Sequence, residues 1–192
     1  MNVLIVYAHP NPLSFNHAVK EEIRQGLEGA GHAVRVKDLY AENPKVTLDA
    51  RDFGSISTGR TPEDIAREQA EVLWAEGLVF VYPIWWFSTP AILKGWIDRV
   101  FLNGFAFEIG PEGAHGLLKH RKALVVTTTG APEASYEAGK AKDIILRPMT
   151  DGTLGFCGIP DVAAKVFYAV PSATENQRKA MLVEAGALGR NF

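Results

Sequence analysis

Five short apolar runs, separated by segments with helical spacing, limit the fold of this 192-residue chain more than any other feature. The runs cover residues 2–8, 33–39, 78–81, 123–127 and 162–170. The first, third and fourth are continuous stretches of Val, Leu, Ile and Phe, which is typical of strands buried on both faces of a parallel sheet. The second alternates with polar residues and is expected at an edge. Since right-handed βαβ crossovers join parallel strands, we predict a doubly wound α/β fold.

Composition and charge argue against several classes of protein. Twenty basic and twenty-two acidic side chains leave a formal charge of −2 without a block of like charge, which argues against nucleic acid or a membrane surface as the main partner. No apolar run reaches the roughly 18–20 residues of a membrane span, and a strand follows Met1 directly, so we expect one cytoplasmic domain over residues 1–192. The single cysteine, Cys157, excludes disulfides within the chain and cysteine-based metal sites, and its apolar neighbours predict a buried side chain.

Two connections are longer than this fold requires. Residues 40–60 form a polar segment of about twenty residues, where most connections have two to six. We expect it to be functional or to pack on another subunit. Residues 101–120 form a second long excursion.

The loop after the first run is a candidate phosphate site. It leads from the strand into a helix, and there the helix dipole and free N–H groups attract anions. His9, Ser14 and Asn16 add polar side chains to this loop. It is neither a G-x-G-x-x-G fingerprint nor a P-loop, since it lacks their glycines. A plain helix cap in a polar loop is the alternative interpretation.

Unusual residues also follow the third and fourth runs. Residues 85–87 are Trp-Trp-Phe, and large rings at the carboxyl end of a buried strand lie in the crevice where such sheets bind ligands. We therefore predict that a flat ligand stacks there. Residues 128–130 are Thr-Thr-Gly, where glycine allows close approach of a ligand to the backbone, although a turn without a ligand has the same pattern.

Other polar residues have simpler interpretations. We expect His115 and His120 to be surface residues, since both lie in a polar segment. Asp98 and Arg99 are predicted to form a helix-surface pair or an interface contact. Tyr136 follows the Thr-rich turn and is either a crevice residue or an ordinary amphipathic tyrosine.

Together these residues resemble the flavodoxin-like NAD(P)H:quinone oxidoreductases of the DT-diaphorase type. The similarity covers nearly the whole chain and depends most on Trp-Phe-x-x-Pro-Ala-Ile-Leu-Lys-Gly-Trp at residues 86–96. The resemblance implies a five-stranded parallel sheet with strand order 2-1-3-4-5 and helices on both faces. It also implies a flavin-binding homodimer with both active sites at the subunit interface.

The resemblance assigns roles by position. Tyr136 and Gly130 are the implied catalytic groups, which would stabilise charge at flavin N1 and O2. Gln69 matches a position near the adenine end of FAD. Glu175 and Arg178 match an acidic and basic pair near the flavin nucleotide, and this match favours FAD over FMN. The implied cofactor-binding residues are, in chain order, His9, Ser14, Phe15, Asn16, Ala18, Gln69, Pro83, Ile84, Trp85, Trp86, Phe87, Thr128, Thr129, Gly130, Tyr136, Glu175 and Arg178.

The implied reaction is ping-pong hydride transfer from NAD(P)H through the flavin to a quinone in the same slot. The chain departs from the family pattern in two places. No histidine follows Tyr136, so we expect Lys140 or Lys142 to supply a cation instead. Phe107 and Ile109 replace tyrosines of the pocket wall that the partner subunit donates, so substrate preference does not transfer.

Two other functions remain open from the sequence. Relatives of this type also serve as ancillary subunits of potassium-efflux antiporters, although nothing in the chain identifies such a membrane partner. A flavodoxin-type electron carrier is the other alternative. Carriers of that kind tend to be strongly acidic and have a Ser/Thr-rich phosphate loop, unlike this chain. The choice between NADH and NADPH also stays open.

Overall fold

A parallel sheet of five strands forms the centre of the computed structural model, which describes residues 1–137 and 141–192. The described part of the chain has seven strands: β1 (Asn2–Tyr7), β2 (Ala33–Asp38), β3 (Gly77–Pro83), β4 (Phe107–Gly110), β5 (Gly113–Gly116), β6 (Lys122–Thr128) and β7 (Val162–Phe167). The order in the sheet is β2-β1-β3-β6-β7, with every pair parallel. The predicted fold class is therefore confirmed, and β2 lies at an edge as expected.

The predicted numbering 2-1-3-4-5 is wrong for this chain, because the prediction missed two strands. β4 and β5 pair as a separate antiparallel hairpin inside the long excursion over residues 101–120. Each is only four residues long and contains glycine, which is depleted in strands, so the strand signal is weak. The last two strands of the sheet are consequently β6 and β7.

Helices cover both faces of the sheet, as predicted. They are α1 (Phe15–Gly29), α2 (Leu39–Glu42), α3 (Ala50–Ser57), α4 (Glu63–Trp74), α5 (Ala91–Val100), α6 (Ala134–Glu137), α7 (Ala141–Met149) and α8 (Glu175–Arg190). A π-helical turn over Thr150–Gly155 continues α7, and a 3-10 turn over Val170–Ser172 precedes α8. No helix within the described residues is long and apolar enough to cross a membrane.

Alternate side chains of the central strands enter two separate apolar cores. Val3 and Ile5 of β1 pack with α1 and α8 on one face of the sheet. Leu4 and Val6 pack with α5 and the segment around Cys157 on the other face. The buried position of Cys157 is confirmed. A central strand buried on both faces has no polar side, which explains the continuous apolar runs.

The long connection over residues 40–60 is fixed to α5 by a buried ion-pair network. The Arg99 guanidinium donates two hydrogen bonds to the Asp52 carboxylate, at 3.0 and 3.1 Å, and a third to Asp64 at 2.7 Å. These bonds hold the pKa of Asp52 far below its usual range, with Arg99 the largest cause. The first of the two predictions for these residues, a helix-surface pair of Asp98 with Arg99, is therefore wrong, and the second, an interface contact, stays a prediction. Asp98 accepts from Lys94 instead, at 2.6 Å.

His120 also differs from its prediction, whereas His115 is exposed as expected. The His120 ring is buried, and its Nε2 lies 2.9 Å from the carbonyl oxygen of Val72. A carbonyl only accepts, so Nε2 carries the proton. Nδ1 is buried and has no partner among the described residues. Burial lowers the pKa of His120, which is therefore held neutral.

Gly95 of α5 allows the long connection to cross this helix at close range, and Gly95→Ala tests that contact. A Cβ at position 95 would lie 2.3 Å from the carbonyl oxygen of Val46. We expect Gly95→Ala to lower the free energy of unfolding by about 1–3 kcal/mol in urea denaturation. Gly54→Ala in α3 is the matched control, because a Cβ there meets nothing within 4 Å. A neutral Gly95→Ala would contradict the close crossing.

The buried neutral state of His120 predicts a loss of stability in acid. Because the folded pKa lies below the ordinary value of about 6.5, His120 contributes stability above that pH and loses it as the pH falls through the folded pKa. His120→Gln keeps a donor for Val72 but does not titrate. The difference in unfolding free energy between wild type and His120→Gln should be flat above pH 7 and should shift against the wild type in acid. An equal pH dependence in both proteins would disprove this assignment.

Candidate functional site

The loops at the carboxyl edge of the sheet enclose a cavity of about 390 Å³. Register places the ends of the strands level, since Pro83 of β3 pairs with Thr128 of β6. The Ile84 N–H then donates to the Thr128 carbonyl at 2.8 Å. The lining residues come from four loops and are His9, Ser14, Phe15, Asn16, Pro83, Ile84, Trp85, Thr128, Thr129, Gly130, Val170 and Pro171.

The N-terminus of α1 opens into this cavity with free donors. Ser14 is the N-cap, and its hydroxyl accepts from the His17 N–H at 3.1 Å. The hydroxyl of buried Tyr7 lies 3.2 Å from the Ser14 oxygen and supports the cap from below. The N–H groups of Phe15 and Asn16 have no acceptor within the described part of the chain. Two free donors and the helix dipole make this end a suitable place for an anion.

His9 contributes a neutral ring with one donor. Its Nδ1 accepts from the Asn11 N–H at 3.0 Å, so the proton of the neutral ring is on Nε2. Partial burial is the largest effect on the ring and lowers the pKa of His9. The ring packs at 5.9 Å from that of Trp85, which fixes its orientation at the rim of the cavity.

Asn16 lines the cavity and has a buried acceptor without a partner. Its Nδ2 donates to the Thr128 hydroxyl at 2.8 Å and so joins the first loop to the third. Its Oδ1 has no hydrogen-bond partner among residues 1–137 and 141–192. A buried polar atom without a partner is costly, so a ligand with a hydroxyl group would complete this site.

The Thr129-Gly130 turn is held by the strand beside it. Thr129 N–H donates to the Phe167 carbonyl at 3.0 Å, and Val170 N–H donates back to the Thr129 carbonyl at 3.0 Å. Gly130 has no positive φ, and a Cβ there would meet nothing within 4 Å. The protein itself therefore does not require glycine at this position.

Residues 85–88 form a tight turn whose backbone conformation is normally adopted by glycine and asparagine. Trp86 and Phe87 have φ of 50° and 58°, and Trp85 and Ser88 exchange two backbone hydrogen bonds of 3.0 Å. Two successive positive φ values define a type I′ turn, in which bulky residues are strained by about 1–2 kcal/mol each. Trp86 is 98% exposed, so packing does not explain its presence. Strain of this kind clusters at functional sites.

Tyr136 lies beside this turn and is almost completely buried. Its ring packs against Phe87 at 6.0 Å and against Tyr168 at 5.7 Å. α6 carries Tyr136, and this helix directly follows the loop after Gly130. The aromatic cluster beside the site therefore combines the turn over residues 85–88 with α6 and the end of β7.

Comparison with known proteins identifies the family of this arrangement. A family model described as a flavodoxin-like fold matches residues 1–188. The chain belongs to the flavodoxin-like family. It is 38% identical to human ribosyldihydronicotinamide dehydrogenase [quinone], over 94% of this chain and 87% of that protein. An uncharacterized NAD(P)H oxidoreductase of Haemophilus influenzae is 34% identical, over 95% and 91% of the two chains.

A solved structure is similar over the whole chain. The NAD(P)H:quinone oxidoreductase of Methanothermobacter marburgensis has a TM-score of 0.92 and 32% identity, and the match covers 100% of this chain and 98% of that one. The resemblance to flavodoxin-like quinone oxidoreductases noted from the sequence is thus confirmed.

Most residues that this resemblance selected line the cavity, but seven do not. Phe87 and Tyr136 pack against each other outside the lining, and Trp86 is exposed in the same turn as Phe87. Ala18 lies in the first turns of α1, where its N–H donates to Ser14. Gln69 donates to the Val100 carbonyl at 3.0 Å, between α4 and α5, and the structure does not bring it to the cavity.

Glu175 and Arg178 also lie outside the lining. Both belong to the first turn of α8, where Glu175 pairs with Lys179 and Arg178 donates to the Ala173 carbonyl. The turn before this helix supplies Val170 and Pro171, which sequence reasoning missed. An apolar Val-Pro dipeptide does not itself indicate a ligand site. Only its position, directly after the last strand of the sheet, could have predicted that these two residues line the cavity.

A larger cavity of about 620 Å³ lies between α4 and the start of the long connection. Lys37 pairs there with Glu42 at 2.7 Å and Glu68 at 3.2 Å. Arg99 is committed to its own acidic partners, so these charges neutralise one another. The smaller cavity has free donors and a free acceptor, and it is therefore the better candidate.

Relief of strain in the aromatic turn gives a direct test of its conformation. Trp86→Asn removes a side chain that packs on nothing and introduces a residue that tolerates positive φ. We expect the free energy of unfolding to rise by up to about 1 kcal/mol. Phe87→Asn is the comparison, because it also removes the contact with Tyr136 and should gain less. A loss of stability in Trp86→Asn would show that the ring has a structural role.

Proposed function

We propose that this protein is a cytoplasmic, flavin-dependent NAD(P)H:quinone oxidoreductase that acts as a homodimer. The observation that carries the proposal is a cavity with anion donors at one end and a strained aromatic turn at the other. The names of the relatives, which are quinone dehydrogenases and NAD(P)H oxidoreductases, support the same activity. The ancillary-subunit and electron-carrier alternatives gain no support from the site.

The residues of the cavity fit a flavin nucleotide. The Phe15 and Asn16 N–H groups and the His9 Nε2–H would bind phosphate. The free Asn16 Oδ1 would accept from a ribityl hydroxyl. Trp85 and Ile84 offer flat apolar surface for the isoalloxazine ring. Each part of the ligand thus corresponds to a group that the protein leaves unused.

The position of α8 favours FAD over FMN. Pro171 lines the cavity, and Thr174, only three residues later, caps the helix that carries Glu175 and Arg178. The adenosine half of FAD would extend from the cavity past Pro171 toward this charged helix N-terminus. Gln69 remains a prediction, and its contact with FAD would have to come from another copy of the chain.

When bound, the flavin would accept a hydride from the nicotinamide and pass it to the quinone. The free N–H of Gly130 and the hydroxyl of Tyr136 would stabilise the negative charge that reduction adds to the ring. Trp86 and Phe87 would flank a slot for one flat ring at a time. A single slot requires the nicotinamide to leave before the quinone enters, which gives ping-pong kinetics.

Exposed apolar side chains support the homodimer. Ile109 in β4 of the hairpin and Phe53 on α3 are both largely exposed. Each lies in one of the two long excursions that a minimal fold of this class does not need. A second copy of the chain would cover such residues and complete the slot with its hairpin.

Gly130→Ala tests the flavin site with little risk to the fold, because a Cβ at this position meets no protein atom within 4 Å. We expect unchanged stability of the flavin-free protein and FAD binding weakened by about tenfold, since an extra methyl group would stand where the ring lies. FAD binding is followed by quenching of flavin fluorescence. Gly29→Ala, at another open position, is the control and should bind FAD like the wild type. Equal affinity in Gly130→Ala would place the ring elsewhere.

A further inference from the structure

A row of three aromatic rings leads away from the crevice and ends in a hydroxyl without a partner. Phe87 packs on Tyr136, and Tyr136 packs on Tyr168 with ring centroids 5.7 Å apart. The Tyr168 oxygen is enclosed by protein and has no hydrogen-bond partner among the described residues. The flavodoxin-like resemblance assigns no role to Tyr168.

A lysine lies beside this hydroxyl. Lys142 and Tyr168 line the same groove between α7, β7 and α8, together with Glu133. The Lys142 ammonium is 3.3 Å from the Glu133 carboxylate. Burial is the largest effect on Tyr168 and raises the pKa of its hydroxyl, as Glu133 and Glu137 also do, whereas Lys142 lowers it. The shared groove places the lysine charge on the same side of the protein as the Tyr168 hydroxyl.

We infer that Lys142 and Tyr168 form a positioning pair behind Tyr136 that makes the bound flavin easier to reduce. The inference rests on the proposed function, because it concerns the flavin of that site. It takes the place of the missing histidine after Tyr136, for which the sequence offered Lys140 or Lys142. Lys140 lies outside the described residues, and the geometry points to Lys142.

The two members of the pair contribute differently. The Tyr168 ring packs on Tyr136, and its hydroxyl faces the groove that also contains the Lys142 ammonium. Reduction adds negative charge to a flavin, so a cation behind the catalytic tyrosine stabilises the reduced form. The Lys142 side chain is 51% exposed and pairs with Glu133, so the carboxylate and the solvent both reduce the effect of this charge, and salt weakens it further.

The reduction potential of the bound flavin measures this role directly. We expect Lys142→Gln to lower the potential, with the equilibrium constant for reduction falling about twofold to fivefold, as exposed charge pairs usually contribute. Tyr168→Phe keeps the ring but removes the hydroxyl, and it should lower the potential similarly. The double variant should show no further loss, because residues that act as one unit are not additive.

A matched control separates this effect from the loss of any positive charge. Lys119 is exposed and precedes the amino end of β6, at the opposite end of the sheet from the crevice. Lys119→Gln changes the net charge equally and should leave the potential unchanged. The inference would be overturned if Lys142→Gln or Tyr168→Phe shifted the reduction potential no more than this control does. Additive shifts in the double variant would also overturn it.

A measurement on flavin-free protein distinguishes failure of the pair from failure of the proposed function. Ultraviolet difference spectra follow the ionisation of the tyrosine phenols with pH. The titration that is present in the wild type and absent from Tyr168→Phe belongs to Tyr168. Lys142→Gln should move this titration to higher pH, because it removes the charge that lowers the pKa of Tyr168. An unmoved titration rejects the pair whether or not flavin binds. A moved titration in a protein that binds no flavin would show that the two side chains interact but would reject the proposed function, and the role in flavin reduction with it.

Discussion

Two backbone hydrogen bonds at the carboxyl edge keep three strands level, one from Ile84 to Thr128 and one from Ala8 to Val81. The loops after β1, β3 and β6 consequently begin at the same height above the sheet. A helix N-terminus, an aromatic turn and a glycine turn thereby face one another across a narrow cavity. A slip of one residue in either strand pair would turn these groups to the opposite face.

The aromatic turn and the long connection share one support, the helix α5. The turn ends at Pro90, α5 begins at Ala91, and Gly95 and Arg99 on the same helix hold residues 45–64. The strain of two residues with positive φ persists only where the surroundings determine the backbone. A helix fixed at several points along its length can impose that conformation. The Pro-Ala-Ile-Leu-Lys-Gly-Trp sequence therefore lies beside the cavity and also forms the helix that holds the strained turn in place.

The sequence predicted what local pattern controls and missed what depends on distant contacts. Continuous apolar runs predicted the central strands, and the convergence of parallel strands predicted which loops meet. Arg99 could not be placed from its neighbours, since Asp52 and Asp64 lie 47 and 35 positions away. His120 likewise becomes buried only through the end of α4. The strands of the hairpin are too short to predict from sequence pattern. Gln69 matched a family position near the cofactor, but in the structure its side chain donates to the Val100 carbonyl between two helices.

An anaerobic titration of FAD-loaded protein tests the central claim most directly, with flavin absorbance recorded throughout. One equivalent of NADH or NADPH should bleach the flavin, and one equivalent of menadione should then restore the oxidised spectrum. This result would establish that one site passes two electrons from a dihydronicotinamide to a quinone. FAD that binds but is not bleached by either donor, or is bleached and not reoxidised by the quinone, would contradict the account.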